Sequence, residues 1–137
     1  MSNEKTAKSG TVLVVDDDPE IRLLATEILR AEGYTVFEAE DASRCMKWLN
    51  VVQPSLILLD VNMPEVDGYR LCKTIRETYP SLPATILFVT SNKTADDVMM
   101  SRKVGGDYFL TKPFTAIQLV AGIKKAVIMK RRQLMGG

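Results

Sequence analysis

The sequence predicts a three-layer α/β domain built on a five-stranded parallel sheet. Five short apolar runs alternate with five segments of helical period along the whole chain. At 137 residues and 15.3 kDa there is room for one hydrophobic core. Each strand–helix–strand crossover is right-handed and returns to the same sheet, so five such units place helices on both faces.

The first strand is TVLVVD (11–16), a continuous β-branched run expected of a strand buried on both faces. Asp18 and Pro19 then read as the N-cap and first residue of a helix. Its apolar face is Ile21, Leu24, Ala25 and Ile28, and Gly33 stops it. A short strand at Tyr34–Glu38 follows. Asp41 caps a second helix whose apolar face is Ala42, Cys45, Met46 and Leu49, with Trp48 on its flank. SLILLD (55–60) is the third strand. The third helix spans Val66–Thr78 and packs Leu71, Cys72 and Ile75. ATILFV (84–89) is the fourth strand, Thr94–Val104 the fourth helix, and Asp107–Thr111 the fifth strand after the Gly105-Gly106 stop. The last helix, Thr115–Arg131, is expected to bury Ala116, Val120, Ile123 and Val127. The domain is expected at 10–131, with a flexible N-terminal tail at 1–9 and a C-terminal tail at 132–137.

Composition excludes several chemistries. The chain has no histidine, which removes Ser-His-Asp and Cys-His catalysis, His-ligated zinc and a phosphohistidine of its own. Cys45 and Cys72 lack a CxxC partner and read as buried free thiols in a reducing compartment. The polar start MSNEKTAKSG has no apolar segment of a secretory signal, and no apolar run reaches the roughly 18 residues of a membrane span. A cytoplasmic protein is expected. The net charge of +1 hides an asymmetry: residues 112–137 carry six bases and no acid. Cations at the end of a helix suit its dipole; the alternative is nucleic-acid or acidic-lipid contact through Lys124, Lys125, Lys130, Arg131 and Arg132.

Sheets of this kind bind ligands outside the carboxyl ends of their strands. Those ends carry Asp16-Asp17, Asp60, Thr90-Ser91 and Lys112. Each alone has a plain explanation, as a helix cap or a solvated charge. Together, three carboxylates repel one another unless cations neutralise them. Lys112 supplies one charge and a divalent ion the second. All-oxygen donors without histidine or thiolate favour a hard cation, and Mg2+ takes one or two carboxylates plus phosphate oxygens. Such a site suits phosphoryl transfer to an aspartate. Asp60, ending the central strand, is the expected nucleophile. Asp16 and Asp17 would hold the metal, Lys112 would neutralise phosphoryl oxygen, and Thr90 would donate a hydrogen bond.

At these residues the sequence resembles the receiver domain of bacterial two-component response regulators. The matching pieces are VLVVDDDP (12–19), LILLDVNMPEVDGYRL (56–71), LFVTS (87–91) and YFLTKPF (108–114), in register at four strand ends. The resemblance covers about residues 10–130. It implies a flavodoxin-like (βα)5 fold with strand order 2-1-3-4-5 and Asp60 as phosphoacceptor. It further implies direct Mg2+ binding by Asp17, Asp60 and the backbone carbonyl of Asn62, with Asp16 acting through water. Thr90 and Lys112 would engage the phosphoryl group, Phe109 would be the aromatic switch, and the Lys112-Pro113 bond would be cis. Phe109 lacks the hydroxyl found where that position is tyrosine, so packing alone would hold it inward. Tyr108 should point to the other side of the strand.

The implied function is a phosphorylation-activated switch of a two-component phosphorelay, fed by a sensor histidine kinase or histidine phosphotransfer protein. The domain would not be an enzyme on external substrates, but would promote transfer to, and hydrolysis from, its own aspartate. The face made by the fourth helix, fifth strand and fifth helix would bind a downstream protein or a second copy. No DNA-binding domain follows the last helix, and a chemotaxis-regulator-like, stand-alone receiver is expected over one cut from a longer chain. Rival readings fit less well. A haloacid-dehalogenase-type phosphatase needs D-x-D-x-T/V on its first strand, where this chain has DDDPE. A dinucleotide-binding domain needs a glycine-rich turn there, and no glycine lies between Gly10 and Gly33. A phosphate-independent interaction module usually lacks one of the acidic, Thr or Lys positions, all present here.

Overall fold

Five parallel strands, β1 (Thr11–Val15), β2 (Thr35–Ala39), β3 (Leu56–Asp60), β4 (Thr85–Thr90) and β5 (Tyr108–Thr111), form one sheet in the order β2-β1-β3-β4-β5. They alternate with α1 (Pro19–Ala31), α2 (Ala42–Leu49), α3 (Gly68–Thr78), α4 (Ala95–Lys103) and α5 (Ala116–Leu134). The computed structural model describes residues 10–91 and 94–136; the tail expected at 1–9 lies outside the described residues. Every residue of β3 and β4 is buried, which is why these strands read as unbroken apolar runs rather than as alternation.

The sheet separates two apolar layers. On one side Leu13, Ile57, Leu59, Ile86 and Phe88 meet α2 through Cys45 and Leu49 and α3 through Leu71, Cys72 and Ile75. On the other, Val12, Val14, Leu58, Leu87 and Val89 meet α1 through Ala25 and Leu29 and α5 through Leu119, Ile123 and Ala126. The helices begin where the sequence places caps. Asp18, Asp41 and Asp67 each accept a backbone N–H from the first turn, and Thr94 and Thr115 form capping boxes with Asp97 and Gln118.

Four expectations need correction. α3 starts at Gly68, not Val66, because Asp67 takes the cap by accepting from Arg70 N at 2.8 Å. α5 runs to Leu134, so residues 132–134 are helix rather than tail: Arg132, Gln133 and Leu134 are good helix formers, and the first breaker is Gly136 at φ 76°. The buried face of α5 is Leu119, Gly122, Ile123 and Ala126; Ala116 is exposed, and Val120 and Val127 are half-buried. Likewise α1 buries Ala25, Thr26 and Leu29, leaving Leu24 exposed. On both helices the apolar arc is wider than the part the sheet covers.

The end of the sheet opposite the strand carboxyl ends is clamped by Arg76 of α3. Its Nε and Nη2 donate to Gly105 O at 3.0 and 2.8 Å, and Nη1 donates to Ala84 O at 2.9 Å. Nη2 also meets the buried carboxylate of Asp107 at 3.2 Å, whose Oδ2 accepts Ile86 N at 2.8 Å. Burial raises the Asp107 pKa, opposed by the Ile86 amide and by Lys130 and Arg76.

Candidate functional site at the strand carboxyl ends

The expected residues converge. Asp16 follows β1, Asp60 ends β3, Thr90 ends β4, and Lys112 follows β5, its N–H donating to Thr90 O at 2.8 Å. Asp16, Asp60 and Thr90 are buried, whereas Asp17 is exposed at the rim. Lys112 Nζ lies 3.0 Å from Asp16 Oδ2 and 3.2 Å from Asp60 Oδ1. Carboxylate oxygens of Asp16, Asp17 and Asp60 lie within 4.8 Å of one another. The turns aim them: Asp18 N donates to Asp16 Oδ1 at 2.9 Å, and Asn62 N donates to Asp60 Oδ1 at 3.0 Å. Asn62 Oδ1 accepts Ser91 N at 3.2 Å, tying the turn after β3 to the end of β4.

The two oxygens of Asp60 differ. Oδ1 has two donors; Oδ2 is buried with no hydrogen-bond partner among the described residues. Leaving a buried carboxylate oxygen unmatched is costly, so this atom calls for a polar partner. Burial and then the Asp16 charge push the Asp60 pKa up to about 6, against the opposing pull of the Asn62 amide and Lys112. Burial alone would lower the pKa of Lys112, but Asp16 and Asp60 outweigh it and hold the ammonium above its ordinary range. One ammonium therefore faces three carboxylates. The all-oxygen donor set of Asp16, Asp17 and Asp60 fits a hard divalent cation.

Around this pocket are contacts that sequence reasoning missed. Arg22 donates from Nη1 to Asp16 O at 2.7 Å and pairs through Nε with Glu38 at 3.4 Å, fixing the backbone that carries Asp16. Gly68 lies against the end of β3, where an added Cβ would come 2.3 Å from Asp60 O; the D-G pair of the third-strand motif was the available signal. Tyr69 OH donates to Asp97 Oδ1 at 2.8 Å and ties α3 to the first turn of α4. That bond, with Thr94, holds the Asp97 pKa below its usual range. Tyr69 also sets its ring edge-on to Phe88, centroids 4.9 Å apart.

Phe109 and Tyr108 pack against opposite layers, as expected from strand alternation. Yet their rings lie 5.4 Å apart and within 12° of parallel, because β5 is an edge strand. Lys125 Nζ sits 5.8 Å from the centre of the Tyr108 ring. The Lys112–Pro113 bond is cis.

The fold and pocket define a flavodoxin-like α/β protein whose chemistry is gathered at the carboxyl ends of β1, β3, β4 and β5. Residues 12–124 match the family model described as the response regulator receiver domain. The chain belongs to that family, the receiver domains of two-component response regulators. It is 35% identical over 126 residues to the DNA-binding transcriptional regulator NtrC of Proteus hauseri, covering 92% of this chain and 26% of that one. To the alkaline phosphatase synthesis transcriptional regulatory protein PhoP of Bacillus subtilis it is 33% identical over 123 residues, covering 90% and 50%. The chain thus spans a quarter to a half of these relatives. Among solved structures it resembles a receiver domain protein from Methanospirillum hungatei, with TM-score 0.79 and 25% identity over 90% of this chain and 97% of that one. It also resembles a chemotaxis response regulator of Vibrio cholerae, with TM-score 0.79 and 27% identity over 87% and 99%. No helix among the described residues is long and apolar enough to cross a membrane.

Proposed function

We propose that the chain is a phosphorylation-activated switch of the cytoplasm in which Asp60 accepts a phosphoryl group from a phosphohistidine on a kinase or phosphotransfer protein. The observation that carries this reading is Asp60 Oδ2, buried and unmatched beside an oxygen held 3.2 Å from Lys112 Nζ. Oδ2 attacks phosphorus, the P–N bond breaks, and the imidazole leaves with the bonding electrons. The product is an acyl phosphate, and attack of water on phosphorus returns the carboxylate and inorganic phosphate. Asp16, Asp17, Asp60 and the Asn62 carbonyl would hold Mg2+, which when bound screens the repulsion between carboxylate and phosphoryl oxygens. Lys112 moves from pairing two carboxylates to pairing one and a phosphoryl oxygen. Thr90 donates its hydroxyl to another.

The new group carries roughly −2 charge and draws Thr90 and Lys112 towards it. Space vacated behind Thr90 is filled by Phe109, held inward by apolar packing. The face of α4, β5 and α5 then presents the altered surface to a downstream protein. Intact mass after treatment with a small acyl-phosphate donor and Mg2+ tests the first step. One alkali-labile phosphoryl group is expected on the wild type and none on Asp60→Asn. Equal labelling of that variant, with no neighbouring hydroxyl modified, refutes the assignment.

A further inference from the structure

The mismatch between the apolar stripes of α1 and α5 and the residues they bury is confined to the edge the two helices share. Leu24, Ile28 and Ala31 of α1 face Ile117, Val120 and Ala121 of α5 across a hollow of about 610 Å³. Ile117 is 83% exposed and Leu24 40%. Farther along α5 the hollow continues into a second of about 400 Å³, beside Tyr34, Val127 and Ile128. A contiguous apolar strip of this kind on a folded domain marks a contact surface.

The walls of the strip carry opposite charge. On α1 both arginines are turned back onto their own chain: Arg22 binds Asp16 O and Glu38, and Arg30 donates to Val36 O at 3.4 Å. What α1 and its cap turn towards the hollow is Glu27 and Glu32. The α5 wall offers Lys124 and Arg131, on a helix that carries no acid. None of these four residues is in an ion pair among the described residues.

We infer that this face binds a second copy of the chain about a two-fold axis, with α5 of each copy lying against α1 of the other. A strip with an apolar floor, an acidic wall and a basic wall is complementary to itself under that rotation. Each copy's Lys124 and Arg131 meet Glu27 and Glu32 of the other, and the contact closes as a dimer. The phosphoacceptor pocket takes no part, so the dimer forms in Asp60→Asn as in the wild type.

Sedimentation velocity of the full chain at rising concentration tests this. A reversible dimer is expected, weakened by salt. Ile117→Glu would bury a carboxylate at both symmetric positions and should weaken the dimer by about a hundredfold, while still taking a phosphoryl group from a small donor. Lys124→Glu and Glu27→Lys should each be largely monomeric. Mixed together they should form a heterodimer, because both symmetric pairs then become attractive. A wild type that stays monomeric throughout overturns the inference, even if Ile117→Glu abolishes binding of a phosphodonor protein. So does a dimer indifferent to Ile117→Glu, or a charge-reversed mixture that associates no better than its components.

Discussion

Replacing Gly68 by alanine should destabilise the fold and misplace Asp60, although the change adds one methyl group to a helix. The new Cβ would stand 2.3 Å from Asp60 O and 2.8 Å from Val61 Cα, where Cβ contacts rarely fall below 3.4 Å. About 1 Å of movement is needed, and the opposing atoms are backbone rather than the end of a flexible side chain. β3 is buried on both faces between β1 and β4, so α3 must tilt away at its first turn and strain the Gly68 N–Val61 O bond of 2.9 Å. Overpacking of this kind costs about 1–3 kcal/mol, and the helix propensity of alanine recovers little at the first helical position. A net loss of about 2 kcal/mol corresponds to a fall of roughly 6 °C in Tm for a chain of this length. Urea unfolding should show a lower midpoint at unchanged m, and phosphorylation by a small donor should slow as Asp60 shifts from Lys112. Gly122→Ala is the matched control. Its Cβ would meet Leu110 and Leu87 at 3.6 and 3.7 Å, ordinary contact distances. In the interior of α5 it should therefore stabilise by about 0.5–1 kcal/mol. Equal midpoints for Gly68→Ala and the wild type, or a destabilised Gly122→Ala, would refute the packing argument.

Three further substitutions separate the roles within the pocket. Asp60→Asn should raise the stability of the metal-free protein by about 1 kcal/mol, because it removes one of three crowded charges. The folded-state pKa of Asp60 is raised, so the folded wild type holds its proton more tightly than the unfolded chain. The advantage of Asn is thus full above about pH 6 and fades as the pH falls from there towards 3.8, which unfolding curves across that range will show. Asp17→Asn should weaken Mg2+ binding, measured by titration calorimetry, by about tenfold or more while leaving Asp60 in place; affinity equal to wild type would make Asp17 an ordinary surface charge. Thr90→Ala should still accept phosphate on Asp60 but lose most of the amide chemical-shift response across residues 94–120 when a phosphoryl mimic binds. Full wild-type shifts there would break the proposed link between Thr90 and Phe109.

The strands and the pocket were legible because each depends on a local pattern. LILLD and TILFVT are unbroken apolar runs, as strands covered on both faces must be, and a parallel sheet presents all its carboxyl ends on one edge. Asp16, Asp60, Thr90 and Lys112 therefore fall on that edge by their position in the chain alone. The faces of α1 and α5 were not readable in the same way. Each helix carries two adjacent apolar stripes, and helical period alone does not say which of them meets the sheet. Leu29 and Leu119 won over Leu24 and Ala116 only in three dimensions. Side chains that reach across the fold left no periodic trace either. Tyr69 finds Asp97 28 residues away, and Arg76 finds Asp107 31 residues away.

The Arg76 clamp has a mechanical consequence for α4. That helix is held at its C-terminal end, where Gly106 N donates to Ser101 O at 2.7 Å and Gly105 O takes two bonds from the guanidinium. At its N-terminal end the tie to α3 among the described residues is the Tyr69 hydroxyl on Asp97. A push arriving from the end of β4 therefore meets a beam pinned at one end and lightly tethered at the other. Such a beam would swing rather than slide, with the first turn of α4 travelling and Gly105 as the pivot. A small shift beside Asp60 would thereby become a change of angle.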